Sequence, residues 1–332
     1  MKALKIQYWG ILLVTLLSGC FGDNSTVTTS SASTRISYAG STDAATLTTA
    51  NSALILGGAY QGGQTGYAFG SAASLSGGDA APKQPRTLLL SQALVQAIQR
   101  ADLSQLPDPN AATVIDVTNQ LPGNCGGQMA YTGTEDDASR EFRATFTFTD
   151  YCQDDTTFSG TATATGQTDA TLVFEHLSLS FDALTIVTNG DSFTSNGYEI
   201  ITPSTSSFNV KMNMLLQDDA STLVYKMDQL EFVVEQSSGY VDLGITSGRY
   251  YDPNYGYVDL STPTFLHILD GDYWPSSGIL KGTGVAGAFT DTSLINTSAS
   301  FTALSNTTYQ LDLDSNADGT SNSTTTGLWA DL

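Results

Sequence analysis

From about Gln128 to the C-terminus, apolar side chains recur at every second position, and this alternation limits what the chain can become. Phe142, Ala144, Phe146 and Phe148 share one phase, with Arg143, Thr145, Thr147 and Thr149 in the other. Leu177, Leu179, Phe181 and Ala183 alternate with His176, Ser178, Ser180 and Asp182, and Phe208, Val210, Met212, Met214 and Leu216 form a further run. Successive side chains of a strand point to opposite faces, so each run predicts a strand with one apolar and one polar face. Leu223, Tyr225 and Met227 then slip in phase to Leu230, Phe232 and Val234, which predicts a β-bulge between Met227 and Leu230.

Short polar stretches separate the runs: Asn189-Gly190, Asn196-Gly197, Gln217-Asp218-Asp219, Ser237-Ser238-Gly239 and Asp270-Gly271-Asp272. Short returns make neighbours antiparallel, so the expected fold is mainly β, an antiparallel meander of about a dozen strands. Its apolar face needs a cover, supplied by closure as a barrel or sandwich or by packing around a helix. One N-terminal amphipathic helix is expected over Arg86–Leu106, where Leu90, Leu94, Ala97, Ile98 and Ala101 recur at helical spacing between Pro85 and Pro107. Ala53–Gly78 is Gly-rich and reads as a loosely ordered lead-in or one irregular hairpin. Residues 53–124 are therefore assigned to lead-in and helix, and 125–332 to the β body.

The N-terminus has Lys2 and Lys5, a 12-residue apolar run from Ile6 to Leu17, and then Leu17-Ser18-Gly19-Cys20. The run is too short for a bilayer, which takes roughly 20 residues, and it fits a secretory signal. The order basic, apolar, Leu-Ser-Gly-Cys resembles bacterial lipoprotein precursors. That resemblance implies a signal peptide over 1–19, cleavage before Cys20, a diacylglycerol on the Cys20 thiol and an acyl chain such as palmitate on the new amine. It also implies the outer membrane, because Phe21-Gly22 follows the cysteine rather than Asp; either face of that membrane remains open. Residues 20–52 are rich in Ser, Thr, Ala and Asp and read as the lipidated cysteine and a flexible tether.

Removing 1–19, with two lysines and no acid, takes the formal charge from −21 to −23. A body this acidic repels phosphate backbones, which excludes nucleic acid as a partner. With Cys20 spent on lipid, Cys125 and Cys152 remain as an even pair in an oxidising compartment, which favours one disulfide. A loop of that size contributes about 3 kcal/mol by chain entropy. Asn124-Cys125-Gly126-Gly127, Phe148-Thr149-Asp150-Tyr151-Cys152 and Ser159-Gly160-Thr161 together resemble a pattern in uncharacterised β-rich lipoproteins of Gram-negative bacteria. The resemblance supports the disulfide and the β body and implies no activity.

Two constellations carry candidate sites. Asp314, Asn316 and Asp318 precede Gly319 as in the first half of a calcium loop, making calcium the one candidate cofactor. Thr325 stands where an EF-hand has its bidentate Glu, and no helix flanks the loop, so the choice is between a looser calcium loop and an acidic turn on Asp318-Gly319. Tyr240, Tyr250, Tyr251, Tyr255, Tyr257, Tyr273 and Trp274 fall within 35 residues. Tyr240, Tyr255, Tyr257 and Trp274 form a candidate ligand platform for stacking on sugars, set against the alternative that these rings simply pack.

Catalysis finds little to stand on: His176 and His267 are the only histidines, and no G-x-S-x-G, H-E-x-x-H or phosphate-binding loop occurs. The expected protein is a non-enzymatic outer-membrane lipoprotein with a structural or binding role, held to the membrane by lipid and partnered by an envelope glycan or protein. The alternatives are a carbohydrate-binding module or glycan-active enzyme using Tyr240–Trp274, and a membrane-spanning β-barrel.

Overall fold

The computed structural model describes residues 36–71, 106–107, 119–136, 138–153, 156–169, 174–188, 191–203, 207–285, 296–316 and 318–332. Cys20, the Asn189-Gly190 pair and the helix expected over 86–106 lie outside them, except that Leu106 is described and is buried in the core.

The body is mainly β, as the alternation requires. Seven strands run through the first half: β1 (Asn119–Pro122), β2 (Gly126–Glu135), β3 (Glu141–Gln153), β4 (Thr156–Thr168), β5 (Phe174–Thr188), β6 (Asp191–Pro203) and β7 (Ser207–Asp218). Seven more follow: β8 (Val224–Ser237), β9 (Tyr240–Asp252), β10 (Gly256–Leu269), β11 (Ser277–Thr283), β12 (Ser298–Ala303), β13 (Thr308–Asp314) and β14 (Ser323–Leu328). They form one 14-stranded antiparallel sheet in strict chain order. Among the described residues β1 and β14 do not pair, so the sheet is not closed.

One face is buried. In β3, Phe142, Ala144, Phe146 and Phe148 are buried while Glu141, Arg143 and Thr147 are exposed. The same parity buries Leu177, Leu179 and Phe181 in β5, Phe208, Val210, Met212 and Met214 in β7, and Leu230, Phe232 and Val234 in β8. The opposite face carries mostly Thr, Ser, Asp, Lys and Glu, with Val187, Tyr198, Ile200 and Phe265 also exposed.

The sheet bends at a series of bulges. Met212 pairs with Leu230 and Met214 with Met227, so β8 holds an extra residue between Met227 and Leu230, as the phase slip predicts. Gln229 turns to φ 48° there, and its N–H donates to Asn213 Oδ1 at 2.8 Å. Gly248 of β9 lies across from this bulge at φ 125°, where a Cβ would overlap the backbone of Gln229 and Leu230. Register shifts of the same kind interrupt the pairing of β3 with β4 and of β5 with β6. Bulges sharpen local twist and bend the strand that carries them, so a row of them curves the sheet around its apolar side.

Part of the cover is a helix where the sequence reading put a lead-in or hairpin. α1 spans Ser52–Ser71 and packs on β6 to β9, β11 and β12. Its entry is tied by Asn51, whose carbonyl accepts from Ile55 N–H at 2.9 Å and whose side chain accepts from Thr48 N–H at 2.8 Å. Glycine costs about 1 kcal/mol per helical position, which is why this Gly-rich segment does not read as helical. The compensation is close approach: a Cβ on Gly58 would overlap the Tyr250 hydroxyl. Ile55, Leu56, Ala59 and Tyr60 are buried against the sheet.

The tether expected over 20–52 is shorter than that, because residues 36–51 are docked. Ala45 N–H donates to Tyr257 O at 2.7 Å, Tyr257 N–H to Asp43 O at 2.9 Å and Val285 N–H to Ala45 O at 2.9 Å. The segment fills the gap between one end of β10 and the chain beyond β11, and buries Ala45 and Leu47 completely. Backbone pairing anchors a stretch whose composition alone holds too little apolar surface to fold. The Asn196-Gly197 turn is also corrected: both residues sit inside β6, with Gly197 at φ 142° facing Phe181 and Met214.

Candidate functional site

The aromatic residues divide between the two ends and the two faces of the β9–β10 hairpin. At one end, Tyr240 lies over His267, with ring centroids 4.4 Å apart. Asp242 and His267 are register partners, and Asp242 Oδ1 meets His267 Nδ1 at 2.7 Å. At the other end, Tyr257 packs on Tyr251 at 5.2 Å and lies under the Arg249 guanidinium at 4.3 Å. Arg249 donates to Asp259 at 2.8 Å, and that hydrogen bond and a second to Tyr251 hold the guanidinium more firmly charged. Tyr255 is 41 % exposed in the intervening turn, whose backbone N–H groups at Asn254 and Tyr255 donate to Asp252.

Trp274 faces the core. It stacks on Tyr60 of α1 at 5.2 Å and on Trp329 at 5.4 Å, and Trp329 in turn contacts Phe301 and Tyr309. Trp329 Nε1–H donates to Ser305 O at 2.9 Å, and Tyr60 O–H to Tyr273 O at 2.9 Å. The structure therefore does not gather Tyr240, Tyr255, Tyr257 and Trp274 on one platform. Tyr240 and Tyr257 sit at opposite ends of their strands, and Trp274 locks the helix to the sheet. Period-two reasoning on β9 and β10 places the tyrosines outward, but Trp274 precedes Pro275 in a turn where no period applies.

The Asp314–Gly319 loop meets several of its oxygens with its own donors, while Asp314 Oδ1 is buried without a partner among the described residues. Gly319 N–H donates to Asp314 Oδ2 at 2.8 Å, Thr320 N–H to Asp318 Oδ1 at 2.8 Å and Asn316 Nδ2 to Asp318 Oδ2 at 3.0 Å. These are the bonds of an acidic turn. Among the described residues no group of three or more His, Cys, Asp or Glu side chains is placed to hold a metal.

The Cys125–Cys152 disulfide is formed, with Cα atoms 5.1 Å apart. It closes the open end of the β2–β3 hairpin, where Gly126 is the register partner of Cys152.

The least ordinary chemistry lies on the inward face of β6, and the residue reading passed over it. Phe193, Ser195, Glu199 and Ile201 share that face and are all buried. Glu199 is 0 % exposed, and neither of its carboxylate oxygens has a hydrogen-bond partner among the described residues. Its cross-strand neighbours are Leu179 and Met212, and burial pushes its carboxyl well above the ordinary range. Ser195 is also fully buried, and its hydroxyl has no partner. A signal existed in the sequence: Glu199 is in phase with Phe193 and Ile201, and that phase assigns it to the core.

No family model, no curated protein and no solved structure matches this chain.

Proposed function

We propose that this chain is an exported lipoprotein, anchored at the outer membrane through acylated Cys20, whose β body has a binding rather than a catalytic role. The order of Lys2, Lys5, the apolar run Ile6–Leu17 and Leu17-Ser18-Gly19-Cys20 carries the reading. Three features of the body support it. The Cys125–Cys152 disulfide suits an oxidising compartment. The exposed side of the sheet is mostly polar, with scattered exposed residues such as Tyr198, Ile200 and Phe265, which suits a body standing in water better than a barrel with a continuous apolar outward band. The first described residue is Ile36, and 15 residues, 21–35, lie between it and Cys20 in the sequence, about 50 Å of chain if fully extended.

Binding is preferred to catalysis because the one Asp–His pair, Asp242 and His267, lies on an outward strand face, and no serine or cysteine side chain hydrogen-bonds the imidazole among the described residues. Cells given labelled palmitate will label the wild-type protein and leave Cys20→Ala unlabelled and outside the membrane fraction. Equal labelling or equal membrane association of the variant would overturn the anchor.

A further inference from the structure

We propose that the inward face of β6 is a binding site for an apolar molecule carrying one amine, with Glu199 as the partner of the nitrogen. This names a ligand class for the binding body and does not depend on the lipid anchor, so the two readings fail separately. Buried polar groups in native proteins are almost always hydrogen-bonded, and an orphan asks for a reason, a bound partner among them. Among the described residues, Glu199 is the side chain with both oxygens buried and unpartnered. Ser195, two positions beyond Gly197 on the same face, adds a third orphan atom. Between them a Cβ on Gly197 would overlap the backbone of Asn213 and Met214, so β7 lies close against this position.

The surroundings fix the rest of the ligand. On β5 and β7 the neighbouring inward side chains are Leu179, Phe181, Leu184, Met212 and Met214, and none of them titrates. α1 carries no acid or base except Tyr60 and Tyr67, and Tyr60 is committed to Tyr273. The packing of α1 is heaviest on β8 and β9 and thins toward β6. An apolar wall with a few convergent polar groups is the usual form of a small-molecule site, and paired methionines let such a wall adapt. Both Glu199 oxygens are acceptors that want donors, and a protonated amine supplies donors and the opposite charge together. The chain's net charge of −21 also concentrates cations around it. Burial pushes the Glu199 carboxyl well above the ordinary range, toward its neutral form, whereas an alkylammonium favours the carboxylate, so capture draws the proton off.

The test is isothermal titration of the full chain in nonionic detergent with octylamine, octanol and octanoate, on wild type, Glu199→Gln and Glu199→Leu. Octylamine is expected to saturate one site on the wild type with net proton release, read from two buffers of different ionisation enthalpy, and to bind Glu199→Gln at least tenfold more weakly without proton release. Glu199→Leu removes the same oxygens without leaving an amide in the core, so it carries the comparison if Glu199→Gln does not fold. Absence of a saturable site for octylamine on the wild type, undiminished binding by the foldable variant, or octanoate binding as tightly as octylamine would each overturn the proposal.

Discussion

A carboxyl group carried from water into an apolar interior stays neutral unless something pairs with it. Glu199 lies between Leu179 and Met212 with no partner, so its folded-state affinity for a proton is raised above the ordinary value of 4.5. The stability it contributes is fully present below about pH 4.5 and is lost progressively as pH rises toward the folded-state value. Glu199→Leu removes the penalty. Urea unfolding at pH 7 is expected to show the variant more stable by about 1–3 kcal/mol, the cost of leaving a buried polar group unmade. The gap should narrow toward pH 4, and a gap that widens on acidification would contradict the burial of this side chain. Residue identity alone does not reveal such a site. Glu199 becomes visible in the sequence only after the phase of β6 is known, and the Asn196-Gly197 pair inside that strand reads as a turn and hides the phase.

Among the elements, strands were legible and the helix was not. The alternation in β3, β5, β7 and β8 gives the strands, their faces and the bulge at Gln229, because a period of two has few other causes when turn residues bound it. The helix over Ser52–Ser71 was illegible because its glycines argue against a helix locally and are explained only by the Tyr250 side chain, distant in sequence, that one of them must clear. Docking of 36–51 was illegible for a related reason: its bonds run through the backbone to Tyr257 and Val285, and backbone pairing leaves little trace in composition. The aromatic cluster was visible as a concentration of rings but not as a joint, since the partners Tyr60, Trp274 and Trp329 come from three separate regions. Trp329 is 2 % exposed at the centre of that joint, so Trp329→Ala is expected to cost about 3–5 kcal/mol in chemical denaturation. The Cys125–Cys152 bridge joins residues 27 positions apart, and replacing both cysteines by serine should cost about 3 kcal/mol by loop entropy, read as a lower midpoint without loss of the folded β signal in circular dichroism.

At the scale of the molecule, one sheet of 14 strands curves over its own apolar face, with α1 and residues 36–51 completing the described part of the cover. Among the described residues the sheet has two edges, and the two differ. β1 is four residues long and ends in Pro122, a residue that blunts strand pairing, whereas β14 is Thr-rich, uncharged and largely exposed. The acidic surface keeps such bodies apart in solution, and a largely polar outward face leaves the proposed attachment to the membrane to the N-terminus. Intact mass spectrometry of the chain purified from membranes tests that attachment most directly. The account predicts residues 20–332 bearing a diacylglyceryl group and a further acyl chain, with two hydrogens fewer for the Cys125–Cys152 bond. A mass that retains residues 1–19, or that begins at Cys20 without lipid, would contradict it.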